Sequence, residues 1–262
     1  MNPISTPTLN KVAKVTATFW ILKIAATTLG ETAGDLLSKT MHLGYGVSSL
    51  ILISCFLVAV VTQLCLRKFN PVLFWTVILA TSTAGTTMSD YMDRTLELGY
   101  MKGSAILITI LLVVLAIWRW SVGTLSVENI RSRKAELFYW TAILFSNTLG
   151  TALGDFLADD SGLGFMGAAL LIAGALLLVL LAYRFTKLSH VLLFWLAFVL
   201  TRPFGATFGD VLAREKDDGG LGYGTAGSSA VLAAILVGVL AYTMWRDQNR
   251  RTDTPLAEAD AG

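Results

Sequence analysis

Four aspartates, Asp35, Asp90, Asp155 and Asp210, each lie fifteen residues after a tryptophan, at Trp20, Trp75, Trp140 and Trp195. That register marks four copies of one unit, so any fold for this chain must be a four-unit array. The residues leading to each aspartate are variations on one string: TLGETAGD from Thr28 to Asp35, TAGTTMSD from Thr83 to Asp90, TLGTALGD from Thr148 to Asp155 and PFGATFGD from Pro203 to Asp210. One glycine position never changes: Gly30, Gly85, Gly150 and Gly205.

The segments around these strings are too apolar for water. With 55% hydrophobic residues, 15% charged residues and a mean hydropathy of +0.66, too little polar surface exists to cover a soluble globule of ordinary design. A polytopic membrane protein is expected. About 20 apolar residues are needed to cross the hydrocarbon as helix, and such stretches fall near 13–37, 47–66, 72–92, 103–120, 136–157, 164–183, 190–212 and 224–245. Runs such as 106–117 and 168–182 are apolar on every side, which excludes the alternation of a transmembrane barrel. The expected fold class is all-α, with eight transmembrane helices.

Lysines and arginines cluster in alternate loops: Lys11 and Lys14; Arg67 and Lys68; Arg119, Arg131, Arg133 and Lys134; Arg184 and Lys187; Arg246, Arg250 and Arg251. The positive-inside rule then places both termini in the cytoplasm. The other loops are neutral or acidic, with Asp159, Asp160, Asp217 and Asp218. A net charge of +2 is therefore a topology signal, and no nucleic-acid partner is expected. Cys55 and Cys65 lie about 15 Å apart along one helix, too far for a disulfide, and read as packing residues. No cleavable signal segment is read before the first apolar run.

Spacings of 55, 65 and 55 between the tryptophans map the first two copies onto the last two by a shift of 120. The expected organisation is a first half over 1–120, a cytoplasmic linker over 121–135, a second half over 136–246 and a disordered tail over 247–262. Each copy reads as a helix carrying Trp and Asp, a glycine-marked outer turn (Leu43 to Gly46, Leu98 to Tyr100, Leu163 to Phe165, Leu221 to Gly224), and an apolar return helix. Two helices per copy return the chain to the same side, so the copies are parallel around an axis along the membrane normal. Odd-numbered helices carry the polar residues and are expected to form the core. The even-numbered ones read as a lipid-facing shell.

Small residues recur four apart: Gly30 and Gly34, Gly85 and Ser89, Gly150 and Gly154, Gly205 and Gly209. In lipid such pairs let helix backbones approach and gain dispersion contacts. The aspartate follows directly and is drawn towards the bundle interior, with Thr28, Thr83 and Thr148 seven residues earlier. Ionisable groups inside a span are costly and mark functional sites. Copies also differ. Glu31 stands where the others have Thr86, Thr151 and Ala206, Lys23 where they have Ile78, Ile143 and Phe198, and Arg202 where they have Thr27, Ser82 and Asn147. Lys23 and Arg202 are therefore expected to join the carboxylates in a buried charge network. The tryptophans read as interfacial anchors.

Carboxylates with hydroxyls are hard oxygen donors suited to magnesium, manganese or calcium; closely spaced acids also relay protons. No phosphate loop, nucleophile with a base, heme motif or flavin motif is present, so no enzyme activity and no resident cofactor are expected. The fourfold string resembles a family of bacterial integral membrane proteins defined by this repeat and of unknown function. The resemblance covers about Lys11 to Trp245 and implies an inner-membrane location and eight helices. Ser89 and Pro203 are its main departures.

The function expected from the residues is transport of a small cation, above all a divalent metal such as manganese or magnesium, with export preferred on the acidity of the outer face. Asp35, Asp90, Asp155, Asp210 and Glu31 would be the metal ligands, with Thr28, Thr83 and Thr148 adding oxygens, and the two halves would rock about the site. Proton-coupled transport of a small organic solute, a channel, and a structural or signalling protein are the alternatives. Lipid is the expected partner, with a homodimer supported by small residues such as Gly167 and Gly174 on the even helices.

Overall fold

Short polar caps start the odd-numbered helices. In the computed structural model, Thr16 accepts from Phe19 N at 3.3 Å, Asn70 from Leu73 N at 3.1 Å, Ser132 from Ala135 N at 3.1 Å and Ser189 from Leu192 N at 3.5 Å. Each satisfies one of the donors that a helix start leaves unpaired. The eight helices are α1 (Ala17–Asp35), α2 (Gly44–Cys65), α3 (Pro71–Asp90), α4 (Tyr100–Val122), α5 (Arg133–Asp155), α6 (Gly164–Phe185), α7 (His190–Ala213) and α8 (Gly224–Ala259). Described residues are 12–66, 68–127, 130 and 132–259. Lys11, Arg67, Glu128 and Arg131 of the basic loops and linker, and the last three residues, lie outside them. Every α-helix, π-turn and 3-10 turn among the described residues makes the chain all-α, as expected.

Three of the odd helices do not stop at the aspartate. A π-helical turn follows in each, Leu36–Thr40, Tyr91–Thr95 and Phe156–Asp160, and carries the helix one turn further. The reversal after it uses left-handed backbone at equivalent positions: His42, Glu97 and Gly162, then Gly44, Gly99 and Gly164. Glycine takes up that conformation without a Cβ penalty. In the fourth copy α7 continues as α-helix to Ala213 and a short 3-10 turn, Lys216–Asp218, fills the longer connection. At the other end, α8 runs through Ala259.

The odd helices form a closed ring. α1 packs on α3, α3 on α5, α5 on α7 and α7 back on α1, with contacts of similar extent at every seam. Each even helix covers the odd helix of the next copy: α2 lies on α3, α4 on α5, α6 on α7, and α8 on α1. Two consequences follow. The shell expected of the even helices is present, since only 17% of the most apolar stretch of α4 and of α6 is buried, against 67% for α3. The expected halves, however, are interlocked: α4 of the second copy packs on α5 of the third and α8 closes on α1, leaving no looser seam about which two rigid bodies would rock.

Among the described residues six helices, α2, α3, α4, α6, α7 and α8, are long and apolar enough to cross a membrane. Eight are expected from the sequence. α1 and α5 do not reach that apolarity because they carry Lys23, Glu31 and Asp35, or Arg133, Lys134, Glu136 and Asp155. The tryptophans are a correction: Trp75, Trp140 and Trp195 are buried and Trp20 is half-buried. Three pack between neighbouring odd helices, Trp75 on Phe19 at 5.6 Å, Trp140 on Phe74 at 5.5 Å and Trp20 on Phe194 at 5.8 Å, while Trp195 meets Trp118 of α4 at 5.7 Å. Such ring contacts stabilise by more than their area alone, which makes these indoles core residues and not interface anchors.

Candidate functional site

Steps of four residues along an α-helix climb roughly 6 Å, and the odd helices stack equivalent residues in layers at that interval. Starting at the end that carries the chain termini, the first layer is aromatic: Phe19, Phe74, Tyr139 and Phe194. Next come Lys23, Ile78, Ile143 and Phe198, every one fully buried. Thr27, Ser82, Asn147 and Arg202 follow, then Glu31, Thr86, Thr151 and Ala206, and finally the four motif aspartates.

Close helix approach makes the layers possible. A Cβ added at Gly85 would meet Thr148 N at 2.9 Å and Asn147 C at 3.0 Å, and one at Gly205 would meet Thr27 Oγ1 at 2.6 Å. Gly30 faces Ser82 and Gly150 faces Arg202 and Pro203 in the same way. The second small position repeats the pattern one turn on: Gly34 lies against Thr86, Gly154 against Ala206 and Gly209 against Glu31. The small-xxx-small pairs thus seat each helix against the next copy. Ser89, where the other copies have glycine, donates to Asp93 Oδ2 at 3.2 Å.

Arg202 occupies the ring axis. Its Nη2 donates to Glu31 Oε2 at 3.1 Å, Ser82 O at 3.2 Å, Thr151 Oγ1 at 2.8 Å and Thr86 Oγ1, while Nη1 donates to Thr27 O at 3.3 Å. One side chain on α7 therefore reaches the other three odd helices. Arg202 and Glu31 form a fully buried ion pair. Lys23 Nζ, one layer away, crosses the ring from α1 to α5 to donate to Asn147 Oδ1 at 3.3 Å and lies 4.0 Å from the Phe198 ring centre. Asn147 in turn donates to Thr81 Oγ1 at 2.8 Å. Of the two cations expected to join carboxylates, Arg202 does so through Glu31, whereas Lys23 meets an amide oxygen and a ring face instead.

The aspartates meet cations that the sequence reading left out. Lys39 Nζ lies 2.8 Å from Asp35 and 3.9 Å from Asp90. Arg94 Nε lies 2.8 Å from Asp90, and its Nη2 lies 3.6 Å from Asp155 and 3.9 Å from Asp159. Arg214 Nε donates to Asp210 Oδ1 at 3.3 Å. All three cations sit four residues after a motif aspartate and are 34% exposed, over carboxylates exposed by 8% or less. They form a lid on the carboxylate ring. The third copy breaks the pattern, with Asp159 in the cation's place.

Thr28, Thr83 and Thr148 stand apart from the column's polar contacts. Their hydroxyls donate to backbone carbonyls one turn back, those of Ile24 at 2.9 Å, of Leu79 and Ala80 at 3.2 and 3.1 Å, and of Leu144 at 3.0 Å. The hydroxyls that reach Arg202 belong to Thr86 and Thr151. Among the described residues no group of three or more His, Cys, Asp or Glu side chains is placed to hold a metal ion. The metal set read from Asp35, Glu31, Asp90, Asp155 and Asp210 thus has no support in the geometry: the carboxylates face fixed cations of the chain.

A closed ring of tandem two-helix units around a charged axis defines an all-helical, membrane-type repeat protein. The four units match the family model described as Repeat of Unknown Function (DUF347) over residues 18–69, 73–124, 138–189 and 193–249, and the chain belongs to that family. No curated protein and no solved structure matches the chain.

Proposed function

We propose that this protein is a proton-coupled transporter of a small solute, spanning the bacterial cytoplasmic membrane eight times with both termini in the cytoplasm. The observation that carries this reading is the axial column: Lys23, Arg202, Glu31 and the aspartate ring stacked where all four repeats converge. Ionisable groups buried in a span are expensive and belong to proton or ion pathways. Glu31 and the aspartates are the proton-handling groups, and Arg202 closes the axis between them and Lys23. A divalent cation is a poorer cargo, because Lys23 and Arg202 would repel it along the axis and the lid cations compete for the ring. The ring closes within one chain, so no second copy is needed to build the column.

Purified protein in liposomes with an entrapped pH dye tests the reading. Proton movement is expected when a membrane potential or one member of a panel of anionic, neutral and cationic small solutes is applied, and Asp155→Asn is expected to abolish it while retaining the helical fold. Wild-type vesicles that move no protons under any of these conditions would overturn it. A structural role is the second reading, favoured by the matching of buried carboxylates to cations, and it predicts that Asp155→Asn changes stability alone.

A further inference from the structure

The four motif aspartates are not held alike. Asp35 has Lys39 at 2.8 Å, Asp90 has Arg94 at 2.8 Å and Asp210 has Arg214 at 3.3 Å, each cation coming from the same copy four residues on. Asp155 has Asp159 in that place. Its nearest cation is Arg94 of the preceding copy, whose Nη2 lies 3.6 Å away while its Nε donates to Asp90. Among the described residues nothing donates a hydrogen bond to the Asp155 carboxylate, although that side chain is only 7% exposed.

The surrounding charges do not make up the difference. Those acting on Asp155 most are Asp90, Asp210, Glu31 and Arg94, three carboxylates and one guanidinium. Arg94 is divided, since it serves Asp90 and lies 3.9 Å from Asp159 as well. Arg214 is engaged with Asp210 and lies 3.8 Å from the Phe165 ring centre; Arg202 is engaged with Glu31. From α4 come Tyr100, whose hydroxyl donates to Asp159 at 3.3 Å, and the exposed Lys102. Glu136 stands at the opposite end of α5. Four ring carboxylates therefore face three lid cations, Lys39, Arg94 and Arg214, and Asp155 is the one left without its own. An ionised carboxylate that is buried and accepts no hydrogen bond is costly. A proton removes that cost at Asp155, whereas at the other three positions it would strand a cation.

We infer that Asp155 is the ring carboxylate that takes up and releases the proton, and that Asp35, Asp90 and Asp210 are fixed counter-charges of the lid. This assignment rests on the proposed transporter for its place in a transport cycle; the exchange of a proton at Asp155 rests on the geometry alone. Asp159, 38% exposed, adjoins Asp155 through the shared Arg94 and lies between it and solvent at the lid. The proton passes from water there to an Asp155 oxygen, forming one O–H bond and neutralising the carboxylate, and its release breaks that same bond. Arg94 answers the change: it stays on Asp90 while Asp155 is neutral, and its Nη2 is drawn across to α5 when Asp155 is ionised. Occupancy of Asp155 is thereby coupled to the seam between α3 and α5.

Infrared difference spectra test the assignment. The full-length protein in lipid, with its aspartate side-chain carboxyls labelled with carbon-13, is compared between pH of about 6 and about 9, a range in which solvent-exposed aspartates stay ionised. Wild type should show a carboxylic C=O band at the label-shifted position that disappears towards the alkaline end. Asp155→Asn should lack it. Asp155→Glu keeps a carboxyl at the site and should move the band to the unlabelled position, so it carries the comparison should the asparagine variant not fold. A label-shifted band that survives both substitutions, or no such band in wild type, would overturn the assignment. Proton movement in liposomes beside either of those results would leave the transporter reading standing with another carboxylate in this role. An Asp155 band in a protein that moves no protons would uphold the exchange site and end the transport reading.

Discussion

Removing one partner of the axial ion pair should cost far more than removing both. Glu31→Gln leaves Arg202 charged and buried with only neutral acceptors; Arg202→Met leaves the Glu31 carboxylate buried with only Thr86 donating to it, at 3.2 Å. Breaking a buried pair in this way costs about 3–5 kcal/mol. Arg202 also ties together Thr27, Ser82, Thr86 and Thr151 of three helices, which puts Arg202→Met at the upper end and Glu31→Gln at the lower. At roughly 2–4 °C per kcal/mol for a chain of this size, the expected fall in midpoint is about 6–12 °C for Glu31→Gln and more for Arg202→Met. The double variant Glu31→Leu, Arg202→Met removes both charges and should return most of that loss. The assay is unfolding in detergent followed by circular dichroism, with all variants at equal concentration. A double variant whose loss equals the sum of its two single variants would refute the pairing, and single variants within about 1 °C of wild type would refute the burial of the charges.

The close seams give a second prediction. Gly85→Ala puts a methyl against the backbone of Asn147 and Thr148 and should cost about 1–3 kcal/mol as an overpacked contact, whereas Gly174→Ala, with nothing within 4 Å, should be neutral or gain up to about 1 kcal/mol of helix propensity; the same unfolding assay reads both, and equal effects would remove the seam argument. Lys39→Met removes the lid cation that faces Asp35 and Asp90. It should lower stability by up to about 1 kcal/mol, less at high salt, and an unchanged midpoint at low salt would count against the lid.

Much of this arrangement is legible in the sequence. The repeat, the eight helices, the small-xxx-small seams and the burial of Lys23 and Arg202 follow from register and composition. The lid does not, although Asp35 with Lys39, Asp90 with Arg94 and Asp210 with Arg214 keep the i,i+4 spacing that pairs charges on a helix. Ending the spans two residues past the aspartates leaves those cations in loops; the π-helical turns that keep Lys39 and Arg94 in the helix have no strong composition signal. The tryptophans mislead for another reason. An indole at a fixed distance from the motif aspartate fits an interface belt and a helix seam equally well, and only the neighbouring Phe19, Phe74 and Phe194 decide for the seam. Likewise Thr28, Thr83 and Thr148 lie close to the column in sequence, yet one residue amounts to a 100° turn on a helix, and the axis belongs to their predecessors Thr27, Ser82 and Asn147.

Each outer helix protects its neighbour's inner helix, and α8 protects α1. A chain of two repeats built this way would end with one outer helix covering nothing and one inner helix bare, so it would be complete only as a pair of copies clasped head to tail. Four repeats in one chain remove that dependence on a second molecule and allow the copies to diverge. A single arginine, a single lysine and a single glutamate can then occupy an axis on which identical subunits would have had to place several of each.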